Sequence, residues 1–236
     1  MIVKTIARKI RNGFIQARLI GKPLESTFTH IYANNAWGHQ ESVSGHGSSM
    51  EKTAEIRREI PALLRRYGVR SIFDAPCGDF NWMRTVDLTG IEYVGADIVT
   101  ALIKANRKTY SSASRRFVKL DVATAIPPKV DLILCRDLLI HLPLADCQKV
   151  LSGFISSGST YLLTTSYVHQ PQNTDIEPGA WRPINLRLAP FGLPAPISSI
   201  ADGDANPELQ DYGKALCLWR LCDLNGKPSF EISGSV

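Results

Sequence analysis

Between residues 70 and 165, short apolar segments alternate with stretches of helical periodicity, and this alternation constrains the fold more than any other feature of the sequence. Strands that alternate with helices at this spacing are typical of βαβ units in a parallel sheet. Right-handed crossovers bring the carboxyl ends of such strands to one edge, where a ligand site is expected. The pattern predicts strands at residues 71–75, 92–96, 116–120, 131–135 and 160–165.

Helical periodicity predicts helices at residues 49–67, 80–86, 100–110 and 144–155. Ser48 and Glu51 have the S-x-x-E spacing of a capping box that would open the first helix, and Gly68 would end it.

After residue 167 the alternation stops. Residues 168–196 contain six prolines and no helical pattern, so we expect a long ordered insertion in place of the next helix. Loops of this length are usually functional. A last strand is predicted at residues 215–221, paired antiparallel with a strand near 196–201.

Positive charge is concentrated toward the N-terminus. The net charge is +5, and residues 1–70 contain 12 Lys and Arg against 5 Asp and Glu, whereas the remaining 166 residues contain 15 against 17. Residues 2–19 place Val3, Ile6, Ile10 and Phe14 at helical spacing among basic residues. This pattern is typical of a helix on an anionic membrane or on a partner, but a solvated terminal helix has the same pattern, and both interpretations stay open. We divide the chain into a basic arm and lid at 1–48 and a main domain at 49–236.

Several classes of protein are excluded by composition. With 44% hydrophobic and 21% charged residues, the chain has an ordinary globular composition, and no apolar run approaches the ~20 residues of a spanning helix. The first residues lack the apolar core and cleavage site of a signal peptide. The five cysteines are odd in number and form no C-x-x-C pair, which favours reduced thiols over disulfides or a zinc site. We expect a cytoplasmic protein, either free or peripheral at the inner membrane surface, without a bound metal.

Acidic residues end the predicted strands. The first strand ends at Asp74, the second at Asp97, the third at Asp121 and the fourth at Arg136-Asp137. An acid after the second strand can hold the two hydroxyls of an adenosine ribose, in nicotinamide and in S-adenosylmethionine sites alike.

The turn after the first strand separates these two ligand classes. A dinucleotide site needs the sequence G-x-G-x-x-G, but Pro76 and Phe80 stand where glycines would be required, and Phe80 would crowd a diphosphate. Asp74 would repel a pyrophosphate and suits a cation or an ammonium group. The turn therefore favours an adenosyl ligand that carries positive charge.

Residues 70–165 resemble a class I S-adenosylmethionine-dependent methyltransferase. The segment 73–80 is similar to the first motif of that family (hydrophobic-D-x-G-x-G-x-G): it keeps Asp74 and Gly78 and departs at Pro76 and Phe80. Residues 94–98, 118–122 and 131–143 resemble the second, third and fourth motifs, in order. The resemblance implies an α/β fold that is Rossmann-like and doubly wound, with a mostly parallel seven-stranded sheet in the order 3-2-1-4-5-7-6 and an N-terminal helical arm. It also implies S-adenosylmethionine as cofactor.

The resemblance assigns the cofactor's adenosyl part to the second and third strands. Asp97 would hold the ribose, Asp121 would contact the adenine amino group, and its neighbour would pack on the ring. Trp37 and Ser48 belong to an early segment that we expect to fold over the cofactor as a lid. The full set of predicted cofactor residues is Asp74, Pro76, Gly78, Asp97, Ile98, Asp121, Val122, Arg136, Trp37 and Ser48.

Catalytic candidates lie after the fourth and fifth strands. Methyl transfer to an alcohol requires a base that removes the hydroxyl proton, and the ordinary pKa of histidine, ~6.5, suits this task near neutrality. We favour His141 and Asp137 as the base, with His169, at the start of the insertion, next.

The insertion supplies candidates for acceptor binding. Trp181 could cover the face of a sugar while Arg182 and Asn185 bind hydroxyls or anionic groups, and Tyr167 precedes the insertion at the end of the fifth strand. A packed surface loop with solvated charges has the same composition, so the assignment is a hypothesis.

These observations predict O-methylation of a polar small molecule or a glycan. Nucleic-acid methylation is the first alternative, but the fourth strand ends in Cys-Arg-Asp-Leu rather than the N/D-P-P-Y/F motif of enzymes that act on flipped bases, and the body is slightly acidic. The arm's positive charge keeps this alternative open, and protein methylation is another. From a different class, the chain could be a non-catalytic protein of the same fold that binds an adenosyl ligand.

Overall fold

The computed structural model describes residues 21–203 and 212–224 of the chain. The amphipathic helix predicted at residues 2–19 lies outside the described residues. The helices are α1 (Leu24–Ala33), α2 (Ala54–Arg66), α3 (Thr100–Tyr110) and α4 (Leu144–Ser156). The strands are β1 (Ser71–Asp74), β2 (Glu92–Asp97), β3 (Arg115–Lys119), β4 (Leu132–Cys135), β5 (Tyr161–Tyr167), β6 (Ser198–Ala201) and β7 (Lys214–Arg220).

The strands form one seven-stranded sheet in the order β3-β2-β1-β4-β5-β7-β6. The first five strands are parallel, and β7 runs antiparallel to both β5 and β6. Both the order and the mixed character of the sheet are as predicted, so the predicted fold is confirmed. The register aligns Asp74 with Gly95 of β2 and Leu134 of β4, which brings the carboxyl ends of these strands to one edge.

Apolar side chains bury both faces of the sheet. On one face, α2 contributes Ile56 and Ile60 and α3 contributes Ile103 to a cluster with aromatic residues of β2 and β3. On the other face, α4 packs together with the insertion, which contributes Ile184 and Phe191. The insertion lacks regular secondary structure, as expected, and its residues 182–193 contribute buried side chains to the core.

Two predicted helices differ from the observed ones. The first begins at Ala54, not at residue 49, because residues 49–53 form turns in which Thr53 donates from both its N–H and its hydroxyl to the carbonyl of Ser49. The helix predicted at 80–86 is only a short 3₁₀ turn (Met83–Thr85), since Phe80 has a left-handed backbone with φ of 59°. None of the described helices is long and apolar enough to cross a membrane.

Phe80 has a different place from the one predicted. Its ring is buried below the turn, with ring centroids 5.2 Å from Tyr93 and from Phe117 and 5.3 Å from Tyr110. It therefore does not cover the turn after β1, and the expected crowding of a diphosphate by this side chain is wrong.

Two glycines in regular elements are expected to respond oppositely to substitution by alanine. A Cβ at Gly95 would lie 2.7 Å from Cδ1 of buried Phe117, so Gly95→Ala should destabilise the protein by about 1–3 kcal/mol through overpacking. At Gly153 in α4, the nearest atom would be 3.7 Å away, and Gly153→Ala should stabilise by about 0.5–1 kcal/mol through helix propensity. Denaturant unfolding measures both; a stable Gly95→Ala protein would contradict the packing described here.

Candidate active site

A cavity of about 430 Å³ opens at the carboxyl ends of β1, β2 and β4. Its volume is within the ~300–1,000 Å³ range of small-molecule sites. Its lining includes residues that end the strands and follow them, together with residues of α1, the segment 43–48 and residues 179–181. The lining residues used below are Tyr32, Trp37, Ser44, Ser48, Asp74, Gly78, Trp82, Asp97, Asp121, Arg136, Asp137, His141, Tyr167, Ala180, Trp181 and Lys214.

Asp74 ends β1 inside this cavity with only 3% of its surface exposed. Its carboxylate accepts a hydrogen bond from the Tyr93 hydroxyl. The pKa of Asp74 is raised to about 7. Burial is the main cause and the nearby charge of Asp97 adds to it, and together they outweigh the lowering effect of the Tyr93 bond. A cationic ligand that reaches this carboxylate would stabilise its ionised form.

The turn after β1 requires a glycine at residue 78. Gly78 has φ of 53°, and a Cβ on it would lie 2.4 Å from Oγ of Ser44, which packs directly against the turn. Its N–H donates to Oδ2 of Asp97 at 3.3 Å, so the turn is tied to the end of β2. Pro76, also predicted as a cofactor residue, lines the same part of the cavity.

Asp97 ends β2 and is also buried. Its Oδ1 accepts from the N–H of Val99 at 2.9 Å, and burial raises its pKa to about 6 against the lowering effect of these backbone bonds. Ile98, Asp121 and Val122 line the neighbouring wall. The Asp97 carboxylate has about four acceptor positions, and the backbone N–H groups of Gly78, Ile98 and Val99 occupy three of them, which leaves room for a bond from a ligand hydroxyl.

A short segment of the N-terminal part covers this turn. The carboxylate of Asp79 accepts from the N–H of Val43 at 3.0 Å, and its own N–H donates to Oγ of Ser44 at 3.1 Å. The side-chain amide of Asn81 donates to Oε1 of Glu41 at 2.8 Å and to the carbonyl of Ser48 at 3.1 Å. We call residues 39–48 the lid segment. Its hydrogen bonds run to the β1 turn itself, so lid and turn form one unit.

Four buried charged residues lie beside this unit, at the ends of β4, β6 and β7. Arg136 donates from Nε and Nη2 to the two carboxylate oxygens of Asp202, both at 2.9 Å, and from Nη2 to the carbonyl of Gly47 at 2.9 Å. Lys214 Nζ lies 2.9 Å from Oδ2 of Asp137 and 3.1 Å from Oδ2 of Asp202. Arg136 Nη1 lies 3.2 Å from Oδ2 of Asp137. Two cations thus balance two carboxylates.

This cluster makes Asp137 a poor proton acceptor. Burial alone would raise its pKa, but the charges of Arg136 and Lys214 outweigh burial and hold the pKa of Asp137 well below its ordinary value. The backbone N–H of Asp137 donates to Oγ1 of Thr165, whose hydroxyl donates back to Oδ1. Asp137 is therefore a fixed ionised partner of two cations, and the structure does not support its predicted role as a base.

His141, unlike Asp137, is suited to accept a proton. Its ring stacks on Trp37, with centroids 5.0 Å apart and planes inclined by 29°. Nδ1 lies 2.7 Å from the carbonyl of Ala180. Burial lowers the pKa of His141 below its ordinary value, against the raising effects of the Ala180 bond and Asp137. A carbonyl only accepts, so we assign the proton to Nδ1, and Nε2 of the neutral ring keeps its lone pair.

Two of the residues predicted to bind the acceptor lie in the cavity wall. Tyr167 and Trp181 line it, with ring centroids 6.1 Å apart in an edge-to-face arrangement, and Trp181 is 41% exposed. An aromatic pair of this kind offers a ring-binding surface.

The other residues predicted in the insertion do not line the cavity. Arg182 is buried, and its guanidinium donates to the carbonyls of Thr174, Leu139 and Leu142. Asn185 donates to carbonyls of Val168 and Gln170. Both hold the insertion against the rest of the chain, which replaces the acceptor contact predicted for them. His169 lies beside Gly213, also outside the lining.

Sequence reasoning missed several lining residues. Lys214 opens β7 opposite Tyr167, a neighbour that becomes visible only once the strands are paired. Tyr32 belongs to α1, whose apolar residues at positions 24, 28 and 31 have helical spacing that could have been recognised. Trp82 follows the β1 turn, and the Arg136 guanidinium lies 5.6 Å from its ring centroid. Within residues 21–203 and 212–224, no group of three or more His, Cys, Asp or Glu side chains is arranged to hold a metal ion.

Comparison with protein-family models found no match, and neither did comparison with curated proteins. Solved structures do resemble this chain. Magnesium protoporphyrin IX methyltransferase of Synechocystis PCC 6803 with bound SAM has 13% identity over 85% of this chain and 98% of that chain, with a TM-score of 0.58. The same protein with bound SAH gives 16% identity, coverage of 61% and 72%, and a TM-score of 0.46. A SAM-dependent methyltransferase of Clostridium acetobutylicum gives 17% identity, coverage of 52% and 54%, and a TM-score of 0.41.

The first of these comparisons, together with the strand order, shows the fold. The chain has the Rossmann-like fold of class I SAM-dependent methyltransferases, which confirms the fold expected from the four motifs.

Substitution Asp74→Asn is expected to stabilise the ligand-free protein at alkaline pH. The folded-state pKa of about 7 exceeds the ordinary ~3.9, so ionisation of Asp74 weakens the fold as the pH rises from about 4 to about 7. The amide removes this cost and still accepts from Tyr93, so it should gain about 2–4 kcal/mol at pH 8 and almost nothing at pH 4. Denaturant unfolding at the two pH values measures the difference. A variant that is less stable than the wild type at pH 8 would contradict the raised pKa.

Proposed function

We propose that this protein is an S-adenosylmethionine-dependent methyltransferase that methylates an oxygen of a polar small molecule or a glycan. One observation carries the proposal: the buried carboxylates Asp74 and Asp97 and the neutral imidazole of His141 line one cavity. Buried carboxylates that form no ion pair among the described residues suit a positively charged ligand, and a neutral histidine suits an acceptor that must lose a proton.

The chemistry of the donor set fits the proposed cofactor. Asp97 would accept from the ribose hydroxyls, Asp121 from the adenine amino group, and Asp74 would meet the positively charged methionine end. Bound S-adenosylmethionine would supply a methyl group on a sulfonium. Around it, the predicted residues Pro76, Gly78, Ile98, Val122, Arg136, Trp37 and Ser48 form the wall. The likeness to a methyltransferase structure with bound SAM supports this reading.

At the acceptor, the chain's own residues orient the oxygen and remove its proton. His141 takes the proton at Nε2, while Ala180 holds Nδ1–H and so fixes the tautomer. The stacked Trp37 holds the ring plane. Trp181 and Tyr167 would bind a ring of the acceptor by its face and edge. The positioning of donor and acceptor within ~3–3.5 Å supplies the remaining rate enhancement.

A small-molecule acceptor is preferred to a nucleic acid or a protein because α1 and residues 179–181 line the cavity together with the strand ends, so the site is not formed by the strand ends alone. The cations that line it, Arg136 and Lys214, are paired with buried carboxylates and are not free to bind phosphates. A non-catalytic adenosyl-binding protein would bind S-adenosylmethionine but would transfer no methyl group to any acceptor.

Substitution Asp97→Asn should weaken binding of S-adenosylhomocysteine by about 10–100-fold. The amide nitrogen that replaces one carboxylate oxygen donates hydrogen bonds and accepts none, so it cannot accept from a backbone N–H or from a ribose hydroxyl. The lost charge-assisted bonds are worth ~1.5–3 kcal/mol. Calorimetry measures the affinity, and Asp87→Asn, in an exposed loop, is the matched control that should bind normally. Equal affinities for all three proteins would contradict the assignment.

Substitution His141→Asn should lower kcat about 10²–10⁴-fold while cofactor affinity stays within about threefold. The asparagine amide keeps a donor for the Ala180 carbonyl, so the change removes the base more than the fold. The assay follows transfer of a labelled methyl group from S-adenosylmethionine to a panel of sugars, phenols and hydroxy acids.

The pH profile provides a second readout for the same substitution. The wild-type kcat should rise with pH through a pKa below 6.5 and then level, because only the neutral imidazole accepts a proton, and the variant should lose this limb. His169→Asn, outside the cavity lining, should keep its kcat within about threefold of the wild type. A larger loss for His169→Asn than for His141→Asn would reverse the assignment of the base.

A further inference from the structure

The segment that forms one edge of the sheet carries positive charge and contains no acidic residue. Residues 98–120, which contain α3 and the edge strand β3, include six Lys and Arg and no Asp or Glu. We call these six residues the basic edge: Lys104, Arg107, Lys108, Arg115, Arg116 and Lys119. The first three lie on the exposed face of α3, opposite buried Leu102 and Ile103.

Contacts between α3 and β3 make this a single surface. Arg107 Nε donates to the carbonyl of Phe117 at 2.7 Å, and Arg115 Nε donates to the carbonyl of Tyr110 at 2.6 Å. These bonds engage the backbone and leave the charge of each guanidinium in place. Among the described residues, the ion pairs include one member of the basic edge, Lys119, whose Nζ lies 2.6 Å from Oε1 of Glu25.

The rest of the protein has the opposite charge. Outside residues 1–22 and 98–120, the sequence contains 15 Lys and Arg against 22 Asp and Glu. Charge separation of this kind orients a protein in the field of an anionic surface, with the basic edge toward that surface.

The basic edge also adjoins the point at which the N-terminal residues enter the fold. The ion pair of Lys119 with Glu25 places the first turn of α1 beside β3. The sequence before α1, residues 1–22, contains six more Lys and Arg and no acid, with apolar Val3, Ile6, Ile10 and Phe14 at helical spacing. The basic edge therefore lies beside the start of α1, and the sequence that leads into α1 adds six cations and a set of apolar residues.

We propose that the basic edge docks this protein on a membrane surface that is rich in anionic phospholipid. Clusters of 4–8 Lys and Arg next to a basic amphipathic segment are typical of binding to anionic lipids, and the apolar residues of the arm suit the lipid interface and not a nucleic-acid groove. The docked surface would be continuous with α1, which lines the cavity. Docking requires no turnover, so it stands apart from the proposed methyl transfer.

Vesicle sedimentation of the full chain tests the proposal. The wild type should sediment with phosphatidylcholine vesicles that contain about 30% phosphatidylglycerol and not with phosphatidylcholine alone, and 0.5 M salt, at which the Debye length is below ~8 Å, should release it. The test variant is Lys104→Gln, Lys108→Gln and Arg116→Gln together, because these side chains are exposed and make no bond on which α3 or β3 depends. Its partition coefficient should fall about a hundredfold, given three cations near the surface.

The matched control removes the same charge elsewhere: Arg65→Gln, Arg70→Gln and Lys129→Gln, all exposed and all outside the basic edge. It should bind within about fivefold of the wild type, since only cations near the surface contribute. Unchanged thermal unfolding of both triple variants serves as the folding check.

Three results would overturn the proposal. The first is wild-type binding that does not depend on the anionic lipid. The second is an equal loss in the two triple variants, which would indicate net charge alone. The third is tighter binding of the wild type to a short duplex of DNA or RNA than to the anionic vesicles, with the loss again confined to the basic-edge variant, which would make nucleic acid the partner.

Discussion

The guanidinium of Arg136 joins three parts of the molecule through polar contacts. It follows β4, pairs with Asp202 beyond β6, and donates to the carbonyl of Gly47 in the lid segment. Removal of one partner from a buried ion pair leaves an uncompensated charge, at a cost of about 3–5 kcal/mol. The Gly47 bond of this group adds to the bonds that Asp79 and Asn81 make with the lid segment, and so links the lid to the end of β4 as well as to the β1 turn. Lys214 completes the charge balance from β7 and so fixes the antiparallel end of the sheet to the same point.

The cavity contains two kinds of carboxylate, and the difference between them determines what the site can do. Asp137 is paired with two cations that belong to the protein, so it stays ionised and serves to hold the structure together. Asp74 and Asp97 form no ion pair within the described part of the chain. Burial raises the pKa of Asp74 to about 7, against a lowering effect of Arg136, and that of Asp97 to about 6. Groups whose environments push their pKa values apart take different roles. Here Asp137 supports the cavity wall, whereas Asp74 and Asp97 would favour the binding of a cationic adenosyl ligand. His141, neutral and held by Ala180, is left for proton transfer.

Much of the fold could be predicted from the sequence, because strand ends marked by acids and glycines have a local signal. The five parallel strands, the antiparallel β7 and the turn at Gly78 belong to this part.

Other features have no such local signal. The predicted start of α2 is wrong because Ser48 has the chemistry of a cap, but its segment is held by Asn81 and not by the helix. Phe80 was placed over the turn because a left-handed φ at a bulky residue has no sequence signature. Arg182 and Asn185 were assigned to the acceptor because their polar groups gave no indication of the backbone carbonyls that they satisfy. The basic edge is not visible in the total charge of residues 71–236, because acidic residues elsewhere in that range cancel its positive charge.

The most direct test of the account is calorimetric titration of the full chain with S-adenosylmethionine, S-adenosylhomocysteine and NAD at neutral pH. The account predicts one site for each of the two adenosyl sulfur ligands. The measured binding enthalpy should also change with the ionisation enthalpy of the buffer, because ligand binding shifts the ionisation of Asp74 and Asp97 and so takes up or releases protons. NAD should not bind, since its pyrophosphate would meet Asp74 at the turn. Binding of NAD without binding of either sulfur ligand would contradict the central claim and would require a different chemistry for this cavity.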